Sequence, residues 1–155
     1  MGIASSSASR ARRRAGSGVS STKVLPELTA GIISALAFSP HQISTFAAGS
    51  FAGSVVLYDE DTGSASAHVE GVEGGGVTQI AFHPLDPSVF FVASRRSKAI
   101  QAFDMRDLSA PVGRLERSAS TNQRLTFDVD LWGRWLASGD EVSCRVGETN
   151  FYSMG

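Results

Sequence analysis

The chain repeats itself every 44 to 45 residues, and a period of that length restricts it to stacked supersecondary units. Ile33-Ser34-Ala35-Leu36-Ala37-Phe38-Ser39-Pro40 matches Val77-Thr78-Gln79-Ile80-Ala81-Phe82-His83-Pro84 at an offset of 44. A weaker third copy sets Leu125-Thr126-Phe127 over Ile80-Ala81-Phe82. A second segment recurs as Ala47-Ala48-Gly49-Ser50, Val92-Ala93-Ser94 and Leu136-Ala137-Ser138-Gly139. A third pairs Leu57-Tyr58-Asp59 with Ala102-Phe103-Asp104. Leu36 and Phe38, Ile80 and Phe82, and Leu125 and Phe127 stand two apart, so each pair shares one face of a strand.

Turn chemistry separates these strands at Ser39-Pro40, Ala52-Gly53, Pro84-Leu85-Asp86-Pro87 and Trp132-Gly133. More polar segments at Ser64–Val69 and Pro111–Arg117 read as fourth, outer strands. No segment has a helical period. A four-stranded unit whose third strand closes on an aromatic–Asp pair is the pattern of the WD-type β-propeller blade. Tyr58-Asp59 and Phe103-Asp104 stand in the Trp-Asp place, with an aromatic ring between blades. The Gly-His that usually opens a repeat is replaced in copy two by Gly74-Gly75-Gly76. The expected fold is therefore all-β: an incomplete propeller of two full blades (about 31–71 and 75–117) and a partial third (121–141). Phe38, Tyr58, Asp59, Phe82, Phe103, Asp104, Phe127 and Asp128 are its blade-structural residues.

The charge is asymmetric. Residues 1–24 hold Arg10, Arg12, Arg13, Arg14 and Lys23 and no acid, a charge of +5. The 155-residue chain totals −1, so the remainder carries −6. The first 24 residues have almost no large apolar side chain and read as a disordered basic head. That head fits a nuclear-import or RNA-contacting tail, an Arg- and Ser-rich transit peptide, or plain filler. Met1-Gly2-Ile3-Ala4-Ser5-Ser6 also fits the permissive N-myristoylation pattern, with Gly2 as acceptor. No apolar run is long enough for a membrane-spanning helix. Cys144 is the lone cysteine, so an internal disulfide is excluded and a reducing compartment fits.

Several segments together resemble the telomerase Cajal body protein family of WD-repeat proteins. The most specific is Thr121-Asn122-Gln123-Arg124-Leu125-Thr126-Phe127-Asp128-Val129-Asp130, followed by Gly133 and Leu136-Ala137-Ser138-Gly139. Gly31 to Pro40, Ala48-Gly49-Ser50-Phe51 with Leu57-Tyr58, and Gly75 to Pro84 resemble it too, so the likeness runs from Gly31 to Glu141. It implies a nuclear scaffold that binds small Cajal-body RNAs or telomerase RNA; some fungal relatives are tied to pre-mRNA splicing. Val142-Ser143-Cys144-Arg145-Val146-Gly147-Glu148 lacks the aromatic–Asp of a third strand, so 142–155 is expected to be an irregular tail. Two blades and a part fall short of closure, which takes about four to eight blades. The expectation is a truncated product, or one whose open flanks need missing blades, a partner or self-association.

Catalytic and metal chemistry find no support in the pattern. His41, His68 and His83 are scattered without HxxxH or Cys/His spacing, and His83 falls in a turn. Gly71–Gly76 precedes a strand where a phosphate loop needs a helix, so it reads as an inter-blade loop. No Ser–His–Asp set, carboxylate pair or cofactor fingerprint assembles, and Asp128 and Asp130 suit turn hydrogen bonds. The RNA-contact candidates are Arg95, Arg96 and Lys98, which could neutralise phosphates, and Asn122, Gln123 and Arg124, which could meet base edges. A solvated hairpin tip and a polar strand cap are the corresponding bland readings. The expected function is a non-enzymatic RNA scaffold without cofactor or metal, nuclear by resemblance, with a cytoplasmic location also open. A protein–protein adaptor with an acidic body for basic partners, and a non-functional fragment, are the alternatives.

Overall fold

The computed structural model describes residues 31–69 and 71–149, and every regular element among them is a strand. The head, with Gly2 and Arg10–Arg14, lies outside the described residues. Three antiparallel sheets follow in chain order. The first holds β1 (Ile33–Phe38), β2 (Thr45–Ser50), β3 (Val55–Asp59) and β4 (Ser64–Val69). The second holds β5 (Val77–Phe82), β6 (Val89–Ser94), β7 (Ala99–Asp104) and β8 (Gly113–Glu116). The third holds β9 (Phe127–Val129), β10 (Trp135–Gly139) and β11 (Cys144–Glu148). In each, chain neighbours are sheet neighbours. These are WD-type propeller blades, two complete and one of three strands.

The first two sheets repeat in detail as well as in plan. Both carry a register shift at the start of their first strand, at Ile33/Ala35 and at Val77/Gln79. Both carry a cross-strand aromatic ladder. Phe38, Phe46 and Tyr58 lie opposite one another with ring centroids 5.5 and 5.2 Å apart. Phe82, Phe90 and Phe103 do the same at 5.7 and 5.8 Å. Such separations suit offset or tilted ring pairs. The closing aspartates tie the next turn. Asp59 Oδ1 accepts from Thr62 N at 2.8 Å, and Asp104 Oδ1 accepts from Arg106 N at 2.9 Å.

Burial follows from stacking. The first sheet lays Ala35, Ala47, Val55 and Leu57 on the second sheet's Phe82, Phe90, Val92 and Phe103. The second sheet's other face, with Val89, Phe91, Ala93, Ile100 and Ala102, meets Phe127 and Leu136 of the third. β6 and β7 are buried on both faces, which explains their near-continuous apolar runs. β4 and β8 are more polar and half exposed, as outer edges should be. Two glutamines reinforce the joints. Gln79 donates from Nε2 to Phe127 O at 2.7 Å and accepts from Phe127 N at 3.1 Å. Gln101 grips Gly71 O and Glu73 N in the same way, at 2.9 and 2.8 Å.

Two expectations need correction. Residues 142–155 are not uniformly irregular, because Cys144–Glu148 is β11, paired with β10 from Trp135↔Glu148 to Gly139↔Cys144. No aromatic–Asp is needed for this pairing. Asp140 closes the hairpin, accepting from Val142 N at 2.8 Å, Ser143 Oγ at 3.0 Å and Arg145 Nε at 3.1 Å. The third copy is also out of step. Phe38 and Phe82 lie opposite Phe46 and Phe90, near the hairpin turn, but Phe127 lies opposite Ser138. Ser138 follows Ser94 by one repeat, and Ser94 lies opposite Val77, so Phe127 takes the place of Val77. The β9–β10 hairpin is shorter than its counterparts, and constant spacing misjudges it.

The first sheet supplies an internal control. Phe90 is fully buried, whereas Phe38 is 65% exposed at the ladder's outer rung. Phe90→Ala is expected to cost about 3–5 kcal/mol in urea unfolding, and Phe38→Ala less than about 1 kcal/mol. Acid titration tests the β10–β11 hairpin. The Val142 and Ser143 amides hold the Asp140 carboxyl down at about 2, from an ordinary 3.8. A depressed carboxylate contributes stability that is present above the unfolded value and lost as pH falls through the folded one. Amide exchange in this hairpin should accelerate as pH drops from about 4 to about 2 beyond the intrinsic pH effect. Asp140→Asn should remove that dependence.

Candidate nucleic-acid interface

Antiparallel pairing sends the β2–β3, β6–β7 and β10–β11 turns to one end of the stack. The linkers from β4 to β5 and from β8 to β9 come to the same end. All six RNA-contact candidates lie there. Arg95, Arg96 and Lys98 occupy the β6–β7 turn, and Asn122, Gln123 and Arg124 the β8–β9 linker.

The turn is locked by its surroundings. Arg95 N donates to Gly76 O at 3.0 Å, and Arg95 O accepts from Gly75 N at 2.6 Å, so the glycine linker pairs with it like a short strand. A side chain on Gly76 would put its Cβ 2.5 Å from Phe51 O, which is why glycine is needed there. The Arg95 guanidinium carbon sits 4.7 Å from the Phe51 ring centroid, a cation–π contact to the first sheet's turn. Arg95 is thus engaged within the fold. Arg96 has left-handed backbone at φ 54°, and its side chain, like that of Lys98, is exposed. Neither pairs with a carboxylate among the described residues.

The β8–β9 linker is held by Glu141. Its Oε1 accepts from Ser120 N at 2.5 Å, Thr121 N at 2.8 Å and Ser120 Oγ at 2.9 Å. The Ser120 hydroxyl above all keeps this carboxyl below its ordinary range. Asn122, Gln123 and Arg124 remain exposed. A cleft of about 430 Å³ brings Asn122 together with Phe51, Gly75, Gly76, Arg95 and Arg96, so the two candidate groups meet across the first two sheets. Gln123 and Arg124 lie on the same linker but do not line that cleft. A larger cleft of about 580 Å³ lies beside it, with Arg96, Lys98, Arg117 and Arg145 in its wall. Arg117 and Glu141 were not among the sequence candidates. Nothing local marks Glu141 as an anchor for a linker twenty residues earlier, and Arg117 reads as the end of a polar edge strand.

At the opposite end, His83 and His41 do structural work. His83 Nδ1 accepts from Asp86 N at 2.8 Å and Leu85 N at 3.2 Å, closing the β5–β6 turn. Its Nε2 donates to Gly133 O at 2.9 Å in the third sheet. His41 Nε2 reaches His83 O at 3.2 Å, continuing the tie to the first sheet. Asp128 Oδ1 accepts from its neighbour Val129 N, and Asp130 Oδ1 accepts from Trp135 N at 2.7 Å across the β9–β10 turn. Among the described residues, no three or more His, Cys, Asp or Glu side chains form a metal-ready cluster.

Comparison with known proteins gives the following. No family model matches the chain. Telomerase Cajal body protein 1 from Bos taurus is 42% identical over 109 residues, covering 70% of this chain and 20% of that protein. The Homo sapiens protein of the same name is also 42% identical over 109 residues, covering 70% and 19%. The guanine nucleotide-binding protein negative regulator 1 of Schizosaccharomyces pombe is 34% identical over 118 residues, covering 74% and 29%. These matches bear out the resemblance read from the sequence. The chain spans about a fifth of the length of the Cajal body relatives.

The Glu141 anchor can be tested directly. In Glu141→Ala, exchange of the Ser120 and Thr121 amides should rise roughly tenfold, since charge-assisted bonds hold them. Exchange in β6 should stay unchanged.

Proposed function

We propose that this WD-repeat chain, a relative of the telomerase Cajal body proteins, is a non-catalytic scaffold that holds a small nuclear or telomerase-type RNA on the turn-and-linker end of its sheets. One observation carries this reading. Arg96 and Lys98, both exposed and without a carboxylate partner among the described residues, share that end with Asn122, Gln123 and Arg124. Unpaired cations supply the salt-dependent attraction to a phosphate backbone. Exposed amides beside them can meet unstacked bases, as RNA recognition requires. The cations stand out on a body whose net charge is negative. The relatives' name supports a telomerase and Cajal-body setting, and with it a nuclear location.

A protein-binding role is the second reading, favoured by exposed apolar side chains on the first strand, Leu36 at 61% and Phe38 at 65%. A partner that stays bound to the chain after nuclease treatment, and is lost in Phe38→Glu, would support it.

Filter binding decides the RNA reading. A hairpin RNA carrying the Cajal-body element should bind at least about tenfold more tightly than the same hairpin with a scrambled loop. Arg96→Ala and Lys98→Ala should each weaken both RNAs alike and lower the salt slope by about 1. Asn122→Ala should narrow the gap between the two RNAs. Equal affinity for both hairpins would overturn the proposal.

A further inference from the structure

Arg117, the first residue after β8, is 5% exposed and buried between the second and third sheets. Its backbone N donates to Lys98 O at 2.8 Å, which fixes it under the β6–β7 turn. Its guanidinium donates to three acceptors. Nη1 reaches Ser138 Oγ at 3.2 Å and Leu125 O at 3.4 Å, and Nη2 reaches Ser94 O at 3.1 Å. All three acceptors are neutral. A guanidinium has five N–H donors, so two remain, and the Nε–H is buried without a partner. Arg117 forms no ion pair with a described carboxylate.

A buried, unpaired cation costs stability unless a counter-charge reaches it. Bridging two sheets does not require a charge, since an amide makes the equivalent bridge at Gln79. The charge at Arg117 is therefore surplus to its structural role. It borders the cleft of about 580 Å³, whose wall also holds Arg96, Lys98, Arg145 and one acid, Glu116. Two acids nearby also meet other arginines. Glu116 lies 3.6 Å from Arg114, and Asp140 takes Arg145 Nε at 3.1 Å. Arg96, Lys98, Arg117 and Arg145 outnumber Glu116, the single carboxylate in the wall, so the cleft keeps a net positive lining.

We infer that this cleft is a phosphate-binding site, with Arg117 as its buried cation and Arg96 and Lys98 as its rim. A tetrahedral phosphate offers several oxygens at once to donors converging from different directions, and the arginine fork suits it. The inference deepens the RNA reading and rests on it for the source of the phosphate, a backbone phosphate of the bound strand.

The test uses the full chain with inorganic phosphate as probe, titrated against chloride at matched ionic strength. Binding is followed by calorimetry and by the amide signals of residues 95–98 and 117–120. Phosphate should bind in the millimolar range. Arg96→Ala and Lys98→Ala, both exposed positions that leave the fold intact, should each weaken it at least threefold. Arg117→Lys keeps the charge but loses the fork, and should also weaken it. No binding beyond the chloride control at about 50 mM phosphate overturns the site, as does binding that the Arg96 and Lys98 variants leave unchanged. The filter assay with the hairpin RNA separates the two proposals. RNA bound without phosphate bound removes the site and leaves the RNA reading standing. Phosphate bound without RNA bound keeps the site and removes the RNA reading. RNA that inorganic phosphate competes away supports both.

Discussion

Everything above the single strand depends on how one sheet's small-residue face fits the next sheet's aromatic ladder. Ala35, Ala47 and Gly49 clear the space that Val77, Ile80, Phe82 and Phe90 fill. The clearance is tight, since a Cβ on Gly49 would come within 2.6 Å of the Val77 side chain. Large against small lets neighbouring sheets approach closely at β1 and β5. Each fully buried phenylalanine then contributes about 1.5–3 kcal/mol. The central sheet gains this on both faces and becomes the most deeply buried part of the described structure. On the first sheet, Leu36 and Phe38 remain open to solvent.

Contacts between neighbouring sheets also hold the turn-and-linker end together. Backbone bonds between the glycine linker and Arg95, and the ring of Phe51 beneath the Arg95 guanidinium, knit the turns of two sheets together. Glu141 does the same for the next linker. Side chains mounted on such a frame meet a ligand with little ordering left to do. The frame also consumes some of the residues that looked available. Arg95 is part of the mounting, whereas Arg96 and Lys98 are free to face a partner.

Much of the architecture was legible along the chain because the repeat is carried by local patterns. Recurrence, alternation and turn residues at the hairpins place ten of the eleven described strands by inspection, β9 of them out of step. Ser34 and Thr78, at the matching bulges, are themselves one repeat apart. Legibility failed where spacing was assumed constant. The short β9–β10 hairpin shifts Phe127 from the place of Phe82 to that of Val77. β11 was missed because Cys144–Glu148 has no aromatic–Asp ending, although the Asp140 turn is enough to pair it. At the site, the exposed basic turn was visible in the sequence, while the roles of Arg117 and Glu141 were not.

The amino-acid order alone determined the class of fold, the length of the repeating unit and the family it resembles. Those properties are written in short-range periodicity and in recurrence at a fixed offset. Which charges are neutralised and which are left over was decided only by the tertiary structure. Arg117 meets Ser94, Leu125 and Ser138, and Glu141 meets Ser120 and Thr121, through contacts that span 8 to 23 positions of chain. Charge compensation falls off with distance in space and is blind to distance along the chain. It therefore has no local signature to read until the sheets have stacked.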